Sequence, residues 1–142
     1  MVNLSSFITN AVSVDFIVEA ADGSAITNGT LTFVPGQTNQ VISLPADFLQ
    51  PGAFFRVILS NPFHAQLNTV TNAFFAIPSS PGSPLLLSLA RYPDEKLIYW
   101  TTTNATLLKA TDLKGAWMTN VDQTAPIVVP ESPTSEFFRL VQ

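Results

Sequence analysis

The sequence predicts an all-β chain of two consecutive small antiparallel β-sandwiches. Three observations carry this. Apolar residues alternate with polar ones at a period of two along most of the chain. Turn signals recur about every 8–12 residues, with no long stretch of helical period. A run of prolines and serines, residues 78–84, breaks the pattern near the middle.

Taken in order, VSVDFIVEA puts Val12, Val14, Phe16 and Val18 on one face and Ser13, Asp15 and Glu19 on the other, the signature of a half-buried strand. GTLTFV puts Leu31 and Phe33 on one face with threonines opposite. Val34-Pro35-Gly36-Gln37 is a tight turn, with Pro fixing φ and Gly free to take positive φ. Val41 to Leu44 is then expected as the returning strand of a hairpin. PADFLQPG (45–52) is a corner. The strand after it alternates Phe55, Val57 and Leu59 with Phe54, Arg56 and Ile58, and Ser60-Asn61-Pro62 is expected to end it. A short strand follows at Ala73 to Ile77.

Residues 79–84 are expected to form a stiff linker, because prolines cannot serve a sheet ladder. The first sandwich is thus placed at 1–78 and the second at 85–142. Strands are expected in the second half at Leu85–Arg91, Lys96–Thr101, Thr106–Thr111, Ala116–Thr119, Ile127–Val129 and Phe137–Val141. Turns are expected at Tyr92-Pro93-Asp94, Thr103-Asn104, Asp112–Gly115 and Glu131-Ser132-Pro133. Leu107–Lys114 has some helix propensity, but its length and neighbours favour strand plus turn.

The first half resembles the Calx-β family. The likeness is carried by VNLSS, AVSVDFIVEAADGSA, GTLTFVPGQTNQVISLP and AFFRVILSNP, over about residues 1–78. It implies a seven-stranded antiparallel sandwich of the kind repeated in secreted and cell-surface proteins, some of which bind Ca²⁺ in loops at one end. Two departures stand out. VNLSS is similar only to the tail of the family's first strand, without its acidic entry, and the connection before GTLTF is shortened to ITN. A truncated first strand leaves a sheet edge open to another chain, so a homo-oligomer or a weak first module is expected. The second half, through LLLSLAR, KLIYW, ATLLKATDLKGAW and FFRLVQ, resembles a small fibronectin-III-like module at the C-terminus of large exported bacterial proteins. That resemblance implies an extracellular or cell-surface location.

Composition narrows function. The chain is 46% hydrophobic and 11% charged, enough apolar content for a core and too little charge for a disordered segment. Six basic against ten acidic residues give −4, with no basic patch of the kind nucleic acids require. There are no cysteines, which removes disulfides, thiol catalysis and Cys-type zinc sites. No apolar run is long enough to span a membrane, and MVNLSSFITN lacks the features of a signal peptide, so any export signal is expected upstream.

Candidate sites are few. In calcium-binding Calx-β domains the acids lie in the Asp-Gly-Thr-Ala turn and in an acidic run before the F-x-V-x-L strand. Here Asp22 keeps the first and Asp47 one acid of the second, with Gln50, Pro51, Gly52 and Ala53 where more would be. Two carboxylates would hold Ca²⁺ only at about 10⁻⁴–10⁻³ M. The simpler expectation is that both aspartates bond backbone N–H groups of their own turns. His64 is the sole histidine and is expected exposed in a loop, a poor base or ligand by itself. Tyr92, Tyr99, Trp100 and Trp117 raise sugar stacking, with core packing the expectation for both tryptophans. Asn3, Asn28 and Asn104 open glycosylation sequons, chance matches in a bacterial chain. The pairs Phe54-Phe55, Phe74-Phe75 and Phe137-Phe138 place one ring on each face of a strand, so the outward rings need cover from the other module, a loop or another chain.

These readings assign no catalytic, cofactor or metal residues. They point to a non-catalytic structural or adhesive tail of an exported protein, partnered by a neighbouring domain or another chain. The alternative is a glycan-binding accessory module, which needs Tyr92 and Trp117 exposed on one flat face.

Overall fold

The computed structural model describes residues 1–69, 71–80, 83–92, 94–102, 104–129 and 135–141. Among the described residues the protein is all-β: antiparallel strands and a single 3-10 turn at Ala46–Phe48. In chain order the first half holds β1 (Val2–Asn3), β2 (Val12–Ala20), β3 (Ala25–Phe33), β4 (Asn39–Gln40), β5 (Phe54–Phe63) and β6 (Asn72–Ala76). The main sheet runs β3-β2-β5-β6, and β1 pairs β4 in a separate two-stranded ribbon.

The main sheet follows from the alternation. Val12 pairs Phe33 and Val14 pairs Leu31, and these four side chains form a buried cluster closed by Val2, Leu4, Ile8 and Ile42. The turn between β2 and β3 is tight: Gly23 takes φ 82°, its N–H donates to Ala20 O at 3.0 Å, and Ala20 N donates to Ser24 O at 2.9 Å. Strand β3 therefore starts at Ala25, and the short ITN segment is strand rather than connection. The Val34–Gln37 turn forms as expected, with Gln37 N to Val34 O at 2.9 Å and Gly36 at φ 83°.

Two expectations are corrected. Val41–Leu44 is not a returning strand: the chain leaves the turn toward the other layer, where Asn39–Gln40 pairs β1. The Gln40 side chain still reaches back, donating to Thr32 O at 2.7 Å, while Val41 is 65% exposed. Second, Ser60-Asn61-Pro62 does not end β5. The strand runs to Phe63 through an irregularity that sets Ser13 against Phe63 and Asp15 against Ser60. Asn61 at φ 47° takes up the extra length, and Pro62, lacking an N–H, is tolerated at such a bulge.

The second half holds β7 (Ser88–Arg91), β8 (Lys96–Tyr99), β9 (Thr106–Ala110), β10 (Met118–Thr119), β11 (Ile127–Val128) and β12 (Phe137–Val141). They form two three-stranded antiparallel sheets, β11-β8-β7 and β10-β9-β12. The strands are shorter than expected: Leu85–Leu87, Trp100, Thr101, Ala116 and Trp117 lie outside them. LLKATDLK is strand then turn, closed by Gly115 N to Asp112 O at 3.0 Å and Lys114 N to Asp112 Oδ1 at 3.0 Å. The Tyr92–Asp94 turn is closed by Tyr92 N to Glu95 O at 2.9 Å, with Pro93 outside the described residues. Thr103 of the Thr103-Asn104 turn, the Glu131–Pro133 turn, and Pro81-Gly82 of the expected linker also lie outside them.

Candidate functional site

The strongest concentration of chemistry lies where the outer face of the main sheet meets β7 and β8. Period-two geometry puts Phe54 and Arg56 of β5 on that face, beside Glu19 of β2 and Phe74 of β6, since Arg56 pairs both Glu19 and Phe74 across the ladders. From the second half, Ala90 of β7 faces Leu97 of β8 across their ladder, and both are buried with Phe54 and Tyr92 in one cluster. Phe54 stacks on Tyr99 with centroids 4.2 Å apart, and Phe74 lies 5.9 Å from Phe54 and 6.2 Å from Tyr92. The backbones also meet, Arg91 N donating to Ala21 O at 2.8 Å.

Arg56 is the centre. It is 2% exposed, and its guanidinium divides between the halves. Nε and Nη2 donate to Glu19 Oε2 at 2.9 and 2.8 Å, while Nη1 donates to Asp94 Oδ1 at 2.6 Å and Glu95 Oε1 at 3.1 Å. Its flat face rests on the Tyr92 ring, 4.0 Å from the centroid. Burial works against this cation, and the hydrogen bonds to Asp94 and Glu19 outweigh it, so the Arg56 pKa lies above its ordinary value. The same Arg56 hydrogen bond holds the Asp94 carboxyl below the usual carboxylate range. Burial pushes the Tyr92 hydroxyl up to about 12. That hydroxyl is buried and has no hydrogen-bond partner among the described residues.

This arrangement is a lock. The cation is fully engaged by three carboxylates, so it offers no free acid or base to a substrate. It answers the question the Phe pairs raised: Phe54 and Phe74 are covered by Ala90, Tyr92, Leu97 and Tyr99 of the same chain, while Phe55 and Phe75 pack on the opposite face at 5.0 Å. Phe137 and Phe138 are each half-buried on β12.

The sequence-derived candidates do not gather there. Asp22 accepts from Ser24 N at 2.9 Å and Ser24 Oγ at 2.6 Å, and these bonds lower its pKa. Asp47 lies exposed in the 3-10 turn, which is closed by Phe48 N to Pro45 O and Leu49 N to Ala46 O rather than by its carboxylate. Among the described residues no three His, Cys, Asp or Glu side chains converge as a metal would need. His64 is exposed at φ 54°, its ring 3.9 Å from Phe63 and its Nδ1 3.3 Å from Ala11 O. Trp100 is buried, and Trp117 is half-buried beneath the Arg139 guanidinium at 4.3 Å. With Tyr92 buried, the flat exposed face a glycan needs from Tyr92 and Trp117 is not formed.

A groove of about 1180 Å³ lies over the inner face of the main sheet, lined by Val14, Phe33, Val57, Leu59 and Phe75 and, across from them, Leu4 and Ile42. Among its described lining residues none is Asp, Glu, Lys or Arg, and His64 is the titratable side chain there.

No family model matches the chain, and no curated protein matches it. Among solved structures it is similar to one described as the crystal structure of calcium binding domain CBD12 of CALX1.1, with a TM-score of 0.41 and 16% identity. The match covers 98% of this chain and 65% of that chain.

Proposed function

We propose that the chain is a non-catalytic structural element: a β-sandwich spacer or display module of a larger exported protein, holding a neighbouring domain at a fixed distance and orientation. The observation that carries this reading is the Arg56 junction. Two sets of sheets joined by a Pro/Ser segment are tied by a buried aromatic stack, a backbone hydrogen bond and four charge-assisted hydrogen bonds from one guanidinium. A flexible tether would need none of these. A spacer must transmit orientation, and a packed, ion-paired junction does that where a bare linker does not.

The experiment is measurement of residual dipolar couplings on the intact chain in a dilute alignment medium. One alignment tensor should fit amides of residues 12–63 and 88–110 together. Two independent tensors, or clearly different rotational correlation times, would overturn the rigid-spacer reading.

A further inference from the structure

We propose that β3 is a self-association edge, through which two copies of this chain join their main sheets in a continuous antiparallel sheet. Among the described residues β3 pairs only with β2, so its other side is a sheet edge. Gln40 donates to Thr32 O from outside the sheet, which places the Thr32 backbone groups on the edge side. By alternation the N–H and C=O of Thr30 and Asn28 face the same way, beyond the irregularity near Val18/Glu19.

Apart from the Gln40 side chain on the Thr32 carbonyl, the devices that usually blunt an edge are missing here. AITNGTLTF holds no Lys, no Pro and no charged side chain over nine residues. Two copies of a chain with net charge −4 meet there without opposing like charges directly. A two-fold centred on Thr30 sets Thr30 opposite Thr30 of the second copy and Asn28 opposite Thr32. It also sets Leu31 opposite Gly29, twice. Gly29 has no side chain to compete with Leu31, and Phe16, whose ring lies 3.1 Å from where a Gly29 Cβ would stand, is half-buried and gains apolar cover. A centre shifted by one residue would set Leu31 against Leu31 across the two-fold and lose this fit. The ladder is short, well under the roughly 1,200 Å² of a standard interface, so the dimer is weak and reversible. Gln40, by occupying the Thr32 carbonyl, is its guard.

Sedimentation equilibrium on the intact chain, from micromolar to millimolar, tests this. The wild type should show a monomer–dimer equilibrium that tightens with added salt, as the net negative charges are screened. Thr30→Pro removes the central edge donor from each copy and no β2 ladder bond, and should weaken the dimer about ten- to hundredfold. Thr30→Glu keeps every backbone donor, sets two carboxylates across the two-fold beside the Asp15 carboxylate to which Thr30 Oγ1 donates, and should also dissociate it. Gln40→Ala should tighten it. A wild type that stays monomeric to millimolar concentration overturns the proposal. So does a dimer that survives Thr30→Glu, which remains decisive if Thr30→Pro fails to fold.

Discussion

Replacing Arg56 by alanine should loosen the junction and uncouple the two halves. The substitution removes four hydrogen bonds and leaves three carboxylates without their cation, with side chains 12% (Glu19), 18% (Glu95) and 63% (Asp94) exposed. Breaking a buried ion pair by deleting one partner costs about 3–5 kcal/mol. Asp94 reaches water and Glu19 and Glu95 are partly hydrated, which sets the loss at the low end, about 3 kcal/mol. The urea midpoint should then fall by about 1–2 M, given an m-value near 2 kcal/mol/M for a chain of this size. The assay uses the placement of the chromophores. Both tryptophans, Trp100 and Trp117, lie in the second half, so their fluorescence follows that half while far-UV circular dichroism follows every strand. In the wild type the two unfolding curves should coincide; in Arg56→Ala they should separate as the halves unfold independently. Arg56→Met, which keeps the apolar stem against Tyr92, should recover part of the loss when combined with Glu19→Gln and Glu95→Gln, because the one carboxylate then left without its cation, Asp94, reaches water. Coincident curves in Arg56→Ala with a loss below about 1 kcal/mol would refute the reasoning, because a buried lock cannot be removed so cheaply.

Tyr92→Phe deletes a buried hydroxyl without a partner among the described residues and should be neutral or stabilising by up to about 1 kcal/mol in urea unfolding. Because the folded Tyr92 pKa is raised to about 12, its contribution is fully present below the unfolded tyrosine pKa, about 10, and is lost as pH rises between the two; absorbance at 295 nm should show a tyrosine step near 12 that Tyr92→Phe abolishes. Asp94 has the opposite sign: its folded pKa is depressed, so its stabilisation is present above the ordinary aspartate range and is lost as pH falls through the folded value. Asp94→Asn should flatten that acid limb, by less than about 1 kcal/mol for so exposed a pair. Gly36→Ala should cost about 1 kcal/mol in thermal unfolding through φ 83° alone, since nothing lies within 4 Å of the added Cβ. Calorimetry with Ca²⁺ should show no site tighter than about 10⁻⁵ M, a limit that a site built on Asp22 and Asp47 would have to cross to matter as a sensor.

Local chemistry was readable wherever one stretch of chain decides the outcome. Val12, Val14, Leu31 and Phe33 are buried where alternation puts them, and the Val34–Gln37 and Asp112–Gly115 turns close where Pro-Gly and Asp-Leu-Lys-Gly dictate. Errors arose where a partner had to be chosen. Val41–Leu44 has a strand's composition, but pairing went to Asn39–Gln40 against Val2-Asn3, a decision made by a segment 36 residues away in sequence. Asn61-Pro62 carries the residues of a strand end, yet the strand is held in the sheet by β2 and absorbs the break as a bulge. Alternation fixes which way a side chain points; it does not fix what waits there.

Arg56 shows the same limit most sharply. At an alternating position on a strand, an arginine reads as solvent-facing, and that inference assumes a sheet covered on one side only. Phe54-Phe55 beside it, and Phe74-Phe75 on the neighbouring strand, already argued against one-sided burial, because no spacing can put both rings of such a pair in the same core. The complementary signal lay across the linker: Asp94-Glu95 is the only adjacent pair of acids in the chain, and Tyr92 stands two residues before it. A strand with aromatic residues on both faces and one basic group needs a second layer that brings negative charge and an aromatic surface. Asp94 and Glu95 supply the charge, Tyr92 and Tyr99 the aromatic surface. Charge removed from water on one element must be answered by another, and in a chain with only six basic residues the set of answers is small enough to search.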